Sequence, residues 1–208
     1  MKSPRENPAS PNRAFEAVIF DMDGTLIVPL LDFDAIRAEF GVAPGQSVLE
    51  SIHGRPGEER RKAHDRLVEI EVAAARQAKL LPGAVEIVAA VRSAGLKTAL
   101  LTRNTREAMN IVLANHPSLR FDLVMSREDG SAKPEPDGIY QACKTFGVLP
   151  ERTCCVGDYR YDILAANAAG ATSVLLTTQR DRPDFADWCE QADYRIDRLN
   201  ELYPILEL

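Results

Sequence analysis

The stretch Ala17-Val18-Ile19-Phe20-Asp21-Met22-Asp23-Gly24-Thr25-Leu26 runs four apolar residues into two carboxylates one residue apart and then into a Gly-Thr turn. A short continuous apolar run closed by a turn reads as a strand buried on both faces, the kind found in parallel sheets covered by helices. Its carboxyl end, where Asp21 and Asp23 stand, is the edge at which open α/β sheets hold their ligands.

The pattern continues outward from that strand. Short β-branched runs at 96–101, 123–125, 153–156, 172–176 and 194–196 alternate with amphipathic stretches at 106–115, 136–146 and 161–169, and a last short helix follows. This is βα repetition, and it predicts an α/β fold with one parallel sheet and helices on both faces. Gly95, Gly147 and Gly170 fall between a helical stretch and the next strand or its approach, where a left-handed cap is needed. Residues 27–81 have a different character: they hold no strand-like run, and 58–79 is a long charged helical pattern with Leu67, Ile70 and Ala74 along one face. The expected organisation is a disordered arm at 1–14, a core domain at 15–26 and 82–208, and a small all-helical cap at 27–81, inserted above the strand end that carries Asp21 and Asp23.

Composition bounds the function. With 208 residues, 45% of them hydrophobic, the chain can bury one full core with a small accessory domain beside it. A formal net charge of -6 argues against nucleic-acid or anionic-membrane partners, which require a basic surface, and no apolar run approaches the roughly 20 residues that span a bilayer. The four cysteines, Cys143, Cys154, Cys155 and Cys189, form neither a Cys-x-x-Cys pair nor a zinc-like spacing, and read as reduced thiols of a cytoplasmic protein. His53, His64 and His116 lack a metal-ligand spacing and read as surface residues; Trp188 reads as core.

Three later segments complete the first. Thr102 closes the strand ending at Leu101, Lys133 opens Lys133-Pro134-Glu135-Pro136, and Gly157-Asp158 leads into Tyr159-Arg160-Tyr161-Asp162. Each has an ordinary reading alone: a helix cap for Thr102, Asn104 or Thr105, a solvated charge for Lys133, and helix N-terminal charge for Asp158 and Asp162. All four groups nevertheless fall just beyond predicted strands, on one sheet edge. A carboxylate on Asp21 can attack phosphorus, Asp23 can move protons, and the Thr102 hydroxyl and Lys133 ammonium suit phosphoryl oxygens. Several converging carboxylates need a cation, and oxygen donors with room for water and phosphate favour Mg²⁺. The set implies hydrolysis of a phosphate ester.

On these motifs the chain resembles the haloacid dehalogenase-like (HAD) superfamily, in its helical-cap, phosphoglycolate phosphatase-like subgroup, from about residue 15 to residue 208. Asp21 and Asp23 match the first motif, Thr102 the second, Lys133-Pro134 the third, and Gly157-Asp158 with Asp162 the fourth. The resemblance implies a Rossmann-like core, an aspartyl-phosphate on Asp21, and Mg²⁺ held by Asp21, the Asp23 carbonyl and Asp158 with Asp162 in support. It also implies a small phosphorylated metabolite contacted by Gly24, Thr102, Arg103, Asn104 and Lys133. An acid at Asp23 points within this superfamily to phosphatases or phosphomutases rather than dehalogenases. Residues 26–41 hold neither the histidine of the phosphoglucomutase-like relatives nor the lysine of the phosphonate-cleaving ones, which favours simple hydrolysis. Arg55, in His53-Gly54-Arg55-Pro56, resembles a specificity-loop residue that would recognise a second anionic group, with a solvated arginine in a helix-breaking turn as the alternative. Ile27-Val28-Pro29 and a short cap depart from the subgroup, which leaves sugar or nucleotide phosphates open as substrates, and a non-catalytic phospho-ligand-binding protein as the rival.

Overall fold

The computed structural model describes residues 14–29, 31–182 and 184–208, so the arm expected at 1–14 lies, but for residue 14, outside the described residues. Six strands form one all-parallel sheet: β1 (Ala17–Phe20), β2 (Lys97–Leu101), β3 (Leu123–Met125), β4 (Thr153–Gly157), β5 (Thr172–Leu176) and β6 (Tyr194–Ile196). Their order is β3-β2-β1-β4-β5-β6, so the chain winds outward from β1 in one direction and, from β4, in the other. The reversal falls between β1 and β4, and a crevice opens at such a switch point beyond the strand ends.

Alternation along each strand assigns its side chains to two layers. Val18, Phe20, Leu100 and Val156 pack with Ile87, Val88 and Val91 of α4 (Ala84–Ser93) and with Met109 and Val112 of α5 (Arg106–Asn115). Ile19, Ala99, Leu101 and Cys155 face the other way, onto Ile139, Ala142 and Cys143 of α6 (Asp137–Phe146) and Ala165 and Ala166 of α7 (Arg160–Ala169). Burial on both faces explains why β1 reads as an unbroken apolar run; each large aliphatic side chain removed from water contributes about 1.5–3 kcal/mol. All four cysteines are free and buried. Trp188, in a short helix at Phe185–Cys189, packs against Ile163 and Leu175. Among the described residues no helix is long and apolar enough to cross a membrane.

Between β1 and α4 stand three helices, α1 (Phe33–Phe40), α2 (Val48–His53) and α3 (Gly57–Ala75). They share a cluster of their own, built on Ile36, Phe40, Val48, Leu49, Ile52, Ala63 and Leu67. Two connections join this layer to the sheet side by side, with Val28 N–H donating to the Lys79 carbonyl at 2.8 Å and Leu81 N–H to the Leu26 carbonyl at 2.9 Å. α3 ends at Ala75 rather than near 79, where Gln77 N–H turns to the Ala74 carbonyl and Ala78 N–H to the Ala75 carbonyl. Its buried face is also rotated from the expected one: Ala63, Leu67, Glu71 and Ala75 are buried, while Ile70 and Ala74 are only partly covered. Glu71 takes an inside position because Arg127 of the core meets it there.

Candidate active site

Register brings the motif residues together. Phe20 pairs with Leu100 on one side and Val156 on the other, so Asp21, Thr102 and Asp158 leave three adjacent strands at nearly one level. They open into a cavity of about 430 Å³ between the sheet edge and the helices α1–α3. Asp21, Asp23, Thr102, Arg103, Asn104, Lys133, Asp158 and Asp162 all line it.

Lys133 is the hub of the polar floor. Its ammonium, 5% exposed, donates to Asp21 Oδ1 at 2.5 Å, to Asp162 Oδ1 at 2.6 Å and to the Leu101 carbonyl at 2.8 Å. Burial works against the ammonium charge, but Asp162 and Asp21 outweigh it and hold the proton on Lys133 above the usual lysine range. Asp162 is itself oriented, its second oxygen accepting from Tyr159 N–H at 3.0 Å. Asp21 is pushed up to about 6 by burial first, against Lys133, with Asp162 adding repulsion.

Asp158 is placed differently. Its Oδ2 accepts only neutral donors, Thr178 Oγ1 at 3.2 Å and Gln179 Nε2 at 2.8 Å, and no cationic side chain among the described residues pairs with it. Burial, then Asp21 and Asp162, drive its carboxyl well above the usual range. Carboxylate oxygens of Asp21, Asp158 and Asp162 lie within 4.8 Å of one another. Three acids with one lysine, which reaches only Asp21 and Asp162, call for further positive charge, and a hard divalent cation with oxygen ligands fits that donor set.

Asp23 faces the same cavity with one oxygen engaged, Oδ2 accepting from Asn104 Nδ2 at 2.7 Å. Burial, then the Asp21 and Glu71 charges, push it up to about 7, where a carboxyl can both give and take a proton near neutrality. The Thr102 hydroxyl is buried and accepts from Asn104 N–H at 3.1 Å. The cap of α5 falls to Thr105, whose side chain accepts from Ala108 N–H. Of the three candidate caps, then, Thr105 does that job while Thr102 and Asn104 line the cavity.

Two of the expected residues act otherwise than as direct substrate contacts. Gly24 sits beneath Asp158, and its carbonyl accepts from Thr178 Oγ1 at 3.2 Å. Arg55 does not line the cavity: its guanidinium donates to the Phe40 carbonyl and lies over the Phe40 ring, 5.8 Å from the centroid, within the layer of α1–α3. The turn between α2 and α3 leaves that arginine half-buried on Phe40, which is neither the anion contact nor the solvated turn arginine that the sequence offers. Residues that the sequence did not single out also line the cavity, among them Arg37, Glu71, Arg127, Tyr161, Thr178 and Gln179. Thr178 and Gln179 lie just past β5, so the strand-end rule that found Thr102 reaches them too.

Comparison with known proteins gives the family of the chain. The family model for haloacid dehalogenase-like hydrolases matches residues 15–170. A haloacid dehalogenase-like hydrolase domain-containing protein of Arabidopsis thaliana is 32% identical over 208 residues, covering 91% of this chain and 83% of that protein. A phosphoglycolate phosphatase of Mannheimia succiniciproducens is 28% identical over 195 residues, covering 80% and 87%. The crystal structure of a HAD phosphatase from Thermococcus onnurineus superimposes with a TM-score of 0.68 at 26% identity, covering 92% of this chain and 98% of that one. The chain belongs to the haloacid dehalogenase-like hydrolase family and takes its place among the phosphatases of that fold.

Proposed function

We propose that this hydrolase is a cytoplasmic, Mg²⁺-dependent phosphatase that cleaves the phosphate monoester of a small, phosphoglycolate-like metabolite through an aspartyl-phosphate on Asp21. The observation that carries the reading is Lys133 bridging Asp21 and Asp162 at the switch point, with Asp23 and Asp158 beside them in one cavity. Asp21 attacks phosphorus while Asp23 protonates the departing alcohol oxygen. Asp23 then removes a proton from the water that hydrolyses the acyl-phosphate, releasing inorganic phosphate and restoring Asp21. The Thr102 hydroxyl and Lys133 ammonium hold the phosphoryl oxygens in line. Asp21, the Asp23 carbonyl and Asp158, with Asp162 in support, would hold Mg²⁺, which supplies charge neutralisation and alignment for the transferring group.

Residues 15–26 and 82–208 form the catalytic core in this reading, and residues 27–81 the cap that closes the cavity and excludes water. The size of the cavity and its apolar wall of Leu31, Phe33, Val48 and Leu49 favour a second reading of the substrate, a sugar or nucleotide phosphate larger than a two-carbon acid. A Mg²⁺-supplemented panel of these phosphates, read as chelator-sensitive phosphate release, separates the two. The reaction itself is tested with Asp21→Asn, which should abolish turnover of p-nitrophenyl phosphate with an unchanged circular dichroism spectrum. Wild-type-like turnover by that variant refutes the covalent mechanism.

A further inference from the structure

The loop after β2 is fastened on alternate residues. Thr102 and Asn104 face the reacting groups, with the Asn104 amide on Asp23 at 2.7 Å and Asn104 N–H on the Thr102 hydroxyl at 3.1 Å. Arg103 and Thr105 turn to the cap helices: Arg103 Nη2 donates to Ser47 Oγ at 3.1 Å and Glu50 Oε1 at 3.0 Å, and Thr105 N–H donates to Glu71 Oε2 at 3.2 Å.

Glu71 is 4% exposed although α3 is otherwise a charged helix. Its Oε1 accepts from Arg127 Nη1, which also donates to the Arg103 carbonyl at 3.2 Å. Arg127 N–H donates to the Asn104 carbonyl, again at 3.2 Å. The carbonyl of residue 103 and the N–H of residue 105 therefore end on the side chains of one Glu71–Arg127 pair, and the carbonyl of residue 104 on the Arg127 backbone. Burial holds the Glu71 carboxyl above its usual range even beside Arg127, and a buried ion pair contributes little to stability compared with apolar packing. What this pair does accomplish is to fix the peptide planes on either side of the Asn104 side chain.

We propose that Glu71 is a positioning residue for proton transfer: from the cap, through Thr105 and Arg127, it holds the Asn104 amide on Asp23. The inference rests on Asp23 being the acid of the proposed phosphatase. Asn104 occupies Oδ2 of Asp23, so Oδ1 is left to carry the proton to the leaving oxygen. A cap not seated on the core leaves that carboxyl unaligned, which ties proton donation to the presence of the cap.

The test is leaving-group dependence, which a merely structural role does not move. An alkyl alkoxide needs a proton to depart and p-nitrophenolate does not, so kcat/KM is measured for p-nitrophenyl phosphate and for the alkyl phosphate that the wild type turns over best. Glu71→Gln should lower kcat/KM for the alkyl ester about tenfold or more, a fraction of the roughly 10²–10⁴ that general acids supply, and for p-nitrophenyl phosphate less than about threefold, and Asn104→Ala, whatever it loses on both esters, should lose about tenfold more on the alkyl one. The double variant Glu71→Leu/Arg127→Met leaves no lone buried charge and should fold, yet show the same selective loss. Equal losses on both esters, or none, overturn the positioning role. A wild type that releases phosphate from no ester overturns the phosphatase reading instead, and this inference with it.

Discussion

A methyl group at position 24 would stand 1.9 Å from Asp158 Oδ2, and the backbone there has φ +76°, a region that side chains strain to enter. The glycine of the first motif is thus a clearance for the acid of the fourth. Gly24→Ala should cost about 1–2 kcal/mol in backbone strain alone and push Asp158 off its Thr178 and Gln179 donors. We expect a lower melting temperature together with a weakened Mg²⁺ requirement curve, its half-saturation rising at least about tenfold if Asp158 carries the cation, since one carboxylate displaced is worth 1.4 kcal/mol or more. An unchanged half-saturation would show that Asp158 does not need that clearance. Gly157 repeats the device, since a Cβ there would come within 2.2 Å of Asp162 Cβ. From sequence both glycines are legible as turn or strand-end residues, but the carboxylates they make room for are set by the fold, and no local pattern announces them.

At the scale of elements, the helices between β1 and α4 share a cluster of their own, and Ile52 lies fully buried within it. Truncating it leaves a void whose lining does not fully collapse, at a cost of about 2–5 kcal/mol. If the cap is a separate cooperative unit, Ile52→Ala should speed amide exchange across α1–α3 while β1, β2 and β4 keep their protection. Uniform acceleration throughout the sheet would mean that the two layers unfold together. The strands are plain in the sequence because a parallel sheet buried on both faces leaves short apolar runs, as at 17–20 and 174–176. It misphased α3, because Glu71 is an acid among acids until Arg127, from a turn after β3, is seen to cover it. Arg55 was misleading for the complementary reason: an arginine in a cap loop has the chemistry to bind an anion, and only packing shows its guanidinium spent on Phe40. Asp21, Thr102 and Asp158 were legible because each sits one position past a strand, and the parallel register makes those positions neighbours, whereas Asp23, Lys133 and Asp162 stand three to eight positions past a strand and are brought in by the turns and helix that follow.

For the molecule as a whole, the site is a cost that the fold bears for as long as its acids outnumber their counter-charges. The chain carries a net charge of -6, and in its knot of acids, Asp21, Asp158 and Asp162, a single lysine among the described residues pairs with Asp21 and Asp162 and leaves Asp158 without a cation. Binding to the folded state alone stabilises it, by about 2.7 kcal/mol at a hundredfold excess over Kd. For a chain of this size each kcal/mol moves the melting temperature by roughly 2–4 °C, so saturating Mg²⁺ should raise it by roughly 5–10 °C and a chelator should reverse the shift. Asp158→Asn makes the argument two-sided. Without metal the variant should melt above the wild type, because a buried carboxylate repelled by Asp21 and Asp162 has become a neutral amide that still accepts from Gln179. With Mg²⁺ the order should invert, since the variant has lost a charged ligand and gains little from the ion. A differential scanning measurement of both proteins, with Mg²⁺ and with chelator, decides it; parallel shifts in the two proteins would place the cation somewhere other than at Asp158.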